Sequence, residues 1–311
     1  MKRFGWKPDR AHAQAFVGSL PYGVLDEDVP RLMRQREKRD VYLWQPLRKV
    51  APDWQRVSQE IGDCVSHGAS IACSLLLAQL AADGLTSWQA EAASEAIYGG
   101  CRVEIHGRPA MGYWEDGAAG SWGAQWLNEY GVLLWIDYSQ QTGNPEHNLS
   151  RYSGKRAQEW GYYGCGGRSD KGSLDAVARQ YPVKDVSQIR TVEAAEAALA
   201  AGCPITIASQ VGFEGQRDSE GIIRRRGTWP HQMALWGLRY RANGEPLFRV
   251  VNSWGKSASG PDPDIDWPAV SDCSWWIVAE DLAAILRDED SFAFSKVQGF
   301  ELPPFDYSDY V

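Results

Sequence analysis

Three residues far apart in the chain, Cys64, His231 and Asn252, carry the side chains that thiol acyl-transfer chemistry requires. A thiol attacks a carbonyl well only when ionised. An adjacent imidazole can take its proton and later return it to the leaving group. A third polar group must hold the far ring nitrogen so that the imidazole faces the sulfur. The oxyanion that forms needs fixed donors. Each residue taken alone has a plainer reading: Cys64 as a buried thiol, His231 as a satisfied strand histidine, Asn252 as a turn or cap. The combination is what points to catalysis.

These side chains need elements to position them. From Cys64 onward, Ile71, Ala72, Leu75, Leu76, Ala78, Gln79 and Ala82 recur with helical spacing, and Gly84 can end the helix. Asp63 stands just before, where a side-chain oxygen can cap the first N–H groups. Cys64 is therefore expected at a helix N-terminus, whose partial positive charge favours a thiolate. Further helices are expected over 87–98, 120–130 and 191–201, the last broken by Gly202. Residues 139–171, rich in Gly, Ser and Tyr, read as a long surface excursion. Short β-rich runs bounded by turn residues follow at 204–209, 232–237, 247–251 and 274–278. Helices first and strands later predict an α+β fold with a helical half and a sheet half. The expected division is an N-terminal segment 1–55, a helical half 56–185 with the nucleophile, a β-rich half 186–300 with His and Asn, and a tail 301–311. Residues 1–55 read as irregular, punctuated by prolines, with the charged run 31–39 as a short exposed helix at most. The segment reads as a propeptide-like or fold-embracing arm.

Three motifs carry a family resemblance. Gln59-x-x-Gly62-Asp63-Cys64 resembles the nucleophile segment of papain-like cysteine peptidases. Trp229-Pro-His231-Gln-Met-Ala-Leu-Trp-Gly237 resembles the strand that carries their His. Val251-Asn252-Ser253-Trp254-Gly255 reproduces their Asn-Ser-Trp-Gly motif. The stretch from Asp116-Gly117 to Tyr130-Gly131-Val132 is similar to the Gly-rich loop and helix that line their cleft. The resemblance covers about residues 55–280 and implies a two-part fold around a cleft, with peptide hydrolysis through a thioester acyl-enzyme. It implies an oxyanion hole from Gln59 and the Cys64 N–H, a Trp254 that shields the His–Asn bond, and a cleft wall at Gly117 and Ala118. It implies a polypeptide substrate, no cofactor and no metal. The chain departs from the family in four places. Gln59 lies one residue closer to the Cys. Ile61 and Val65 replace the family's upstream Cys and its Trp. Pro230 precedes His231. No helical inhibitory propeptide is recognisable in 1–55. The pattern resembles a divergent bacterial or phage-type branch.

Composition narrows the alternatives. The chain has 311 residues, 44% of them hydrophobic, enough for one large domain or two modest ones sharing a cleft. Its net charge of −8 and the lack of a long basic run argue against a nucleic-acid partner. No membrane span or secretory signal is read, so a cytoplasmic setting is expected, or a virion-associated one if the chain is phage-encoded. Six widely spaced cysteines without a Cys-x-x-Cys pair favour neither structural zinc nor a disulfide framework. His67 reads as structural, Arg224, Arg225 and Arg226 as a solvated turn, and most tryptophans as core or cleft wall. Two other functions remain open at this point: a different cysteine acyl hydrolase or transferase, such as a peptidoglycan amidase or a transglutaminase-like enzyme, and a non-catalytic structural component of a phage particle.

Overall fold

The computed structural model describes residues 4–21, 23–25, 38–107 and 116–297. Most of the charged run 31–39 and all of the tail 301–311 lie outside them.

The helix that starts at Cys64 is the axis of the molecule. It runs Cys64–Ala82 (α3), after α1 (Arg10–Ser19) and α2 (Trp44–Val50). It is apolar on almost every side, as a helix buried all round must be. Val65, Ala69, Ala72 and Leu77 pack into a helical core, while Ile71, Leu75 and Ala78 pack into the core of a sheet. By length and hydropathy α3 could cross a membrane, yet 83% of it is buried inside the protein. Gly84 at φ +76 takes the left-handed turn just beyond its end.

The helical core also takes α4 (Ser94–Gly100), α5 (Gly120–Glu129) and α6 (Gly154–Tyr163). The helix expected over 87–98 begins only at Ser94. Ala92 N–H donates to Ser74 Oγ at 2.9 Å and Ala93 N–H to the Leu133 carbonyl at 2.7 Å, so tertiary partners hold the preceding residues extended. The region 139–171 is not a surface excursion. It contains α6, whose start Ser153 caps through its side chain, and it buries His147, Leu149, Ala157 and Trp160.

Among the described residues the sheet has seven strands, all antiparallel: β1 (Val41–Tyr42), β2 (Val183–Gln188), β3 (Ile205–Phe213), β4 (Arg225–Tyr240), β5 (Pro246–Val251), β6 (Ser274–Val278) and β7 (Phe292–Val297). Their order is β2-β7-β3-β4-β5-β6, with β1 added to β4. Helices α7 (Val192–Ala200) and α8 (Ala279–Leu286) pack on its core. The α+β expectation holds, and each expected strand falls within an observed one or overlaps it. The short strands β1, β2 and β7 were not foreseen.

Among residues 1–55, the described ones contribute more to the core than expected. Trp6, Phe16 and Val17 sit in the helical core, whereas Leu43, Trp44, Leu47 and Trp54 sit in the sheet core. The N-terminal segment therefore packs on both halves. Trp236 lies 5.6 Å from Trp44 and 6.0 Å from Trp54 between ring centroids, contacts worth about 0.5–1.5 kcal/mol each beyond the area they bury.

Candidate active site

The antiparallel register brings two of the candidate residues together. Ala234 on β4 faces Val251 on β5, so His231 and Asn252 lie at the same end of neighbouring strands. His231 Nε2 and Asn252 Oδ1 are 2.8 Å apart and both residues are buried. Because an amide oxygen only accepts, this contact assigns the proton to Nε2. Nδ1 is then the ring nitrogen that Asn252 does not engage. Asn252 Oδ1 also accepts from the Ser253 N–H at 2.7 Å, and the Asn252 N–H donates to the Cys273 carbonyl at 2.8 Å, which fixes the amide. The Trp254 ring lies 4.3 Å from the His231 ring and covers it. Trp229 packs against Trp254 in turn, at 4.8 Å.

Cys64 opens α3. The backbone amides of Gln232, Gly5 and Val65 lie close enough to its sulfur to favour the thiolate, and the Gln232 side chain donates to the Val65 carbonyl at 2.8 Å. The residue after the histidine thus ties β4 to the first turn of α3. Neither that tie nor the role of Arg56 was foreseen from sequence. Arg56, buried, donates to the carbonyls of Asn252 and His67 at 3.2 and 3.0 Å and braces the Asn loop against α3.

Asp63 sits at the N-cap position, but its side chain does not cap the helix. Its carboxylate instead accepts from the Tyr152 hydroxyl at 2.9 Å and faces His67 Nε2 at 3.4 Å. His67 is fully buried and belongs to this structural cluster. A helix start without a side-chain cap keeps its first N–H groups available to other acceptors.

Burial pushes the Cys64 thiol up to about 12, and the Asp63 charge adds to this against the three N–H groups that pull it down. The expectation of a thiolate at the helix start therefore fails for this state. Desolvation outweighs the helix end because the sulfur has no access to water.

Residues 4–7 of the same chain lie across this site. The N–H groups of Gly5 and Trp6 both donate to the Pro230 carbonyl, at 3.2 and 3.1 Å. On the other side, Ala118 N–H donates to the Gly5 carbonyl at 2.8 Å and Lys7 N–H to the Ala118 carbonyl at 3.0 Å, a parallel bridge. Phe4 meets the Trp254 ring edge-on at 5.7 Å. Trp6 is buried, and its indole N–H donates to Asp290 Oδ2 at 2.7 Å. Asp290 also accepts from the Gly120 and Ser121 N–H groups that begin α5, at 2.6 and 2.7 Å. Gly117 and Ala118, expected to form a cleft wall, lie against this strap.

Gln59 is held at both ends of its carboxamide. Nε2 donates to the Ile61 carbonyl at 2.7 Å, and Oε1 accepts from Ser253 Oγ. One of its two N–H groups is therefore committed within the loop. Arg225 and Arg226, expected in a solvated turn, lie exposed at the start of β4 beside Glu280, Asp281 and Glu214. All six cysteines are free thiols.

No family model and no curated protein sequence matches the chain. Solved structures do. Xylellain, a cysteine protease from Xylella fastidiosa, is 17% identical over 95% of this chain and 92% of its own, with a TM-score of 0.52. Procathepsin B S9 from Trypanosoma congolense is 11% identical over 95% and 86%, with a TM-score of 0.50. The ragweed pollen allergen Amb a 11, a cysteine protease solved in its proform, is 14% identical over 96% and 77%, with a TM-score of 0.51. The chain has the fold of papain-like cysteine proteases, and at these identities the likeness concerns the fold alone.

Proposed function

We propose that the protein is a cysteine peptidase, described here in a latent state in which residues 4–7 occupy the cleft. The observation that carries this reading is the His231–Asn252 pair at 2.8 Å beneath Trp254, on a strand whose next residue, Gln232, is tied to the first turn of the buried helix that Cys64 opens.

In the open enzyme, His231 Nδ1 takes the Cys64 proton and the sulfur attacks the scissile carbonyl carbon. The C–N bond then breaks as the imidazolium returns the proton to the leaving amine. Water, deprotonated by the same ring, hydrolyses the thioester. Asn252 cannot titrate. It keeps the ring aimed at the sulfur, and Trp254 keeps water away from that bond. The oxyanion is held by the Cys64 N–H, in the first turn of α3 where the helix itself offers no acceptor, and by the Gln59 side chain. The Pro230 carbonyl and both backbone groups of Ala118, engaged by the strap here, are the partners an extended polypeptide substrate would use.

The test is labelling with a peptidyl epoxide followed by mapping of the adduct. Modification confined to Cys64, and lost in His231→Ala, supports the reading. An unmodified Cys64 in a chain whose strap has been displaced contradicts it. A peptide-library digest run beside a cell-wall digest separates a peptidase from an amidase.

A further inference from the structure

Directly after the strap, the chain makes a second contact with the helical half that the proposed chemistry does not use. Asp9 ends the strap and caps α1, with its Oδ1 accepting from the His12 N–H at 3.1 Å. His106 follows the π-helical turn Cys101–Ile105. A carboxylate oxygen of Asp9 and one ring nitrogen each of His12 and His106 lie within 4.8 Å of one another, with Asp9 Oδ2 to His106 Nδ1 at 3.9 Å. His12 Nε2 is buried and has no hydrogen-bond partner among the described residues.

The surroundings hold these groups in orientation. Trp122 donates its indole N–H to Asp9 Oδ2 at 3.0 Å, and its ring stacks on His106 at 3.8 Å and 17°. A carboxylate held by an outer hydrogen bond is the usual setting of a metal ligand. Two imidazoles and a carboxylate suit zinc and similar divalent transition ions, which bind such donors at about 2.0–2.2 Å. Donors around a tetrahedral ion stand about 3.4 Å apart at those bond lengths. The observed separations, 3.9 Å for one pair and within 4.8 Å for all, must shorten by about 0.5–1.4 Å to reach that spacing, a shift the exposed His106 ring can make in its own plane along the Trp122 face.

We propose that Asp9, His12 and His106 bind a divalent transition-metal ion of the zinc type, and that the bound ion clamps the strap in the cleft. Asp9 and His12 belong to the N-terminal segment and His106 to the helical half, so one ion would join them. The binding site stands on its own geometry; its effect on the cleft rests on the peptidase reading above.

The test uses the full chain carrying Cys64→Ala, which removes any competing metal site at the nucleophile, and Co²⁺ as the probe. One equivalent is expected to bind, with d–d bands and no thiolate charge-transfer band, and His106→Ala or His12→Gln should abolish it. Amide exchange at Gly5 and Trp6 should slow about tenfold at a tenfold excess of Co²⁺ over its Kd. No binding, or binding that survives both variants, overturns the site. Binding that leaves the strap amides unchanged overturns the clamp. None of these readouts requires catalysis, so failure here is distinct from failure of the peptidase reading.

Discussion

Gly5→Ala should open the active site. A Cβ on Gly5 would lie 1.8 Å from the Gly62 carbonyl oxygen, 2.4 Å from its carbon and 2.9 Å from its Cα. The obstacle is backbone at the base of α3 and cannot swing away. Ordinary contact begins near 3.5 Å, so the strap must retreat by about 1.5 Å. That breaks the bonds from the Gly5 and Trp6 N–H groups to the Pro230 carbonyl, now 3.2 and 3.1 Å. At a net 0.5–1.5 kcal/mol each, the closed state loses about 1–3 kcal/mol. The open fraction should rise about 5- to 150-fold, since 1.4 kcal/mol is a factor of about ten. The assay is the second-order rate of epoxide labelling of Cys64, with thermal melting to show that the domain stays folded. A rate unchanged from the parent chain, in a folded variant, would refute the strap as the barrier.

Burial holds the Cys64 thiol protonated, so its alkylation by iodoacetamide should keep rising toward about 12, while in Gly5→Ala the profile should level off at lower pH; superimposable profiles would contradict this cause. Asn252→Ala should lower kcat by about ten- to a thousand-fold with KM little changed, because the amide orients His231 and does not touch substrate; an unchanged kcat means another residue orients the ring. Glu104 is raised to about 8, first by burial and then by the Asp175 charge, and its oxygen accepts from the Cys165 N–H at 3.1 Å. Its folded pKa lies above the unfolded one, so the stability it contributes is complete below the ordinary carboxylate range and is lost as pH rises through about 8. Glu104→Gln keeps the acceptor and should raise Tm relative to the parent at alkaline pH far more than at pH 4; an equal difference at both would refute the assignment.

The elements nearest the chemistry were the most legible. The period of Ile71, Leu75 and Ala78 marked α3 because that stripe faces the sheet core, and Thr191 and Gly202 marked the ends of α7 as a side-chain cap and a left-handed turn. The strand that carries His231 and the one that ends just before Asn252 were visible as short apolar runs between turn residues. The region 139–171 misled because its glycines serve packing and termination. A Cβ at Gly161 would meet the Tyr98 ring at 2.6 Å, and Gly164 at φ +105 ends α6. The strap left no local trace. Its partners, Pro230 and Ala118, lie more than a hundred residues away, and backbone pairing at that distance imposes no pattern on Phe4, Gly5 and Trp6. The protonated state of Cys64 was hidden for the same reason, since it depends on what covers the sulfur.

The most direct measurement is hydrolysis of a peptide library by the full chain carrying Gly5→Ala, beside the same chain carrying Cys64→Ala as well. Cleavage by the first is expected, with a thioester-linked peptide trapped on Cys64 after acid quench, and none by the second. Equal cleavage by both chains, or none by a folded first chain that binds the peptides, would contradict it.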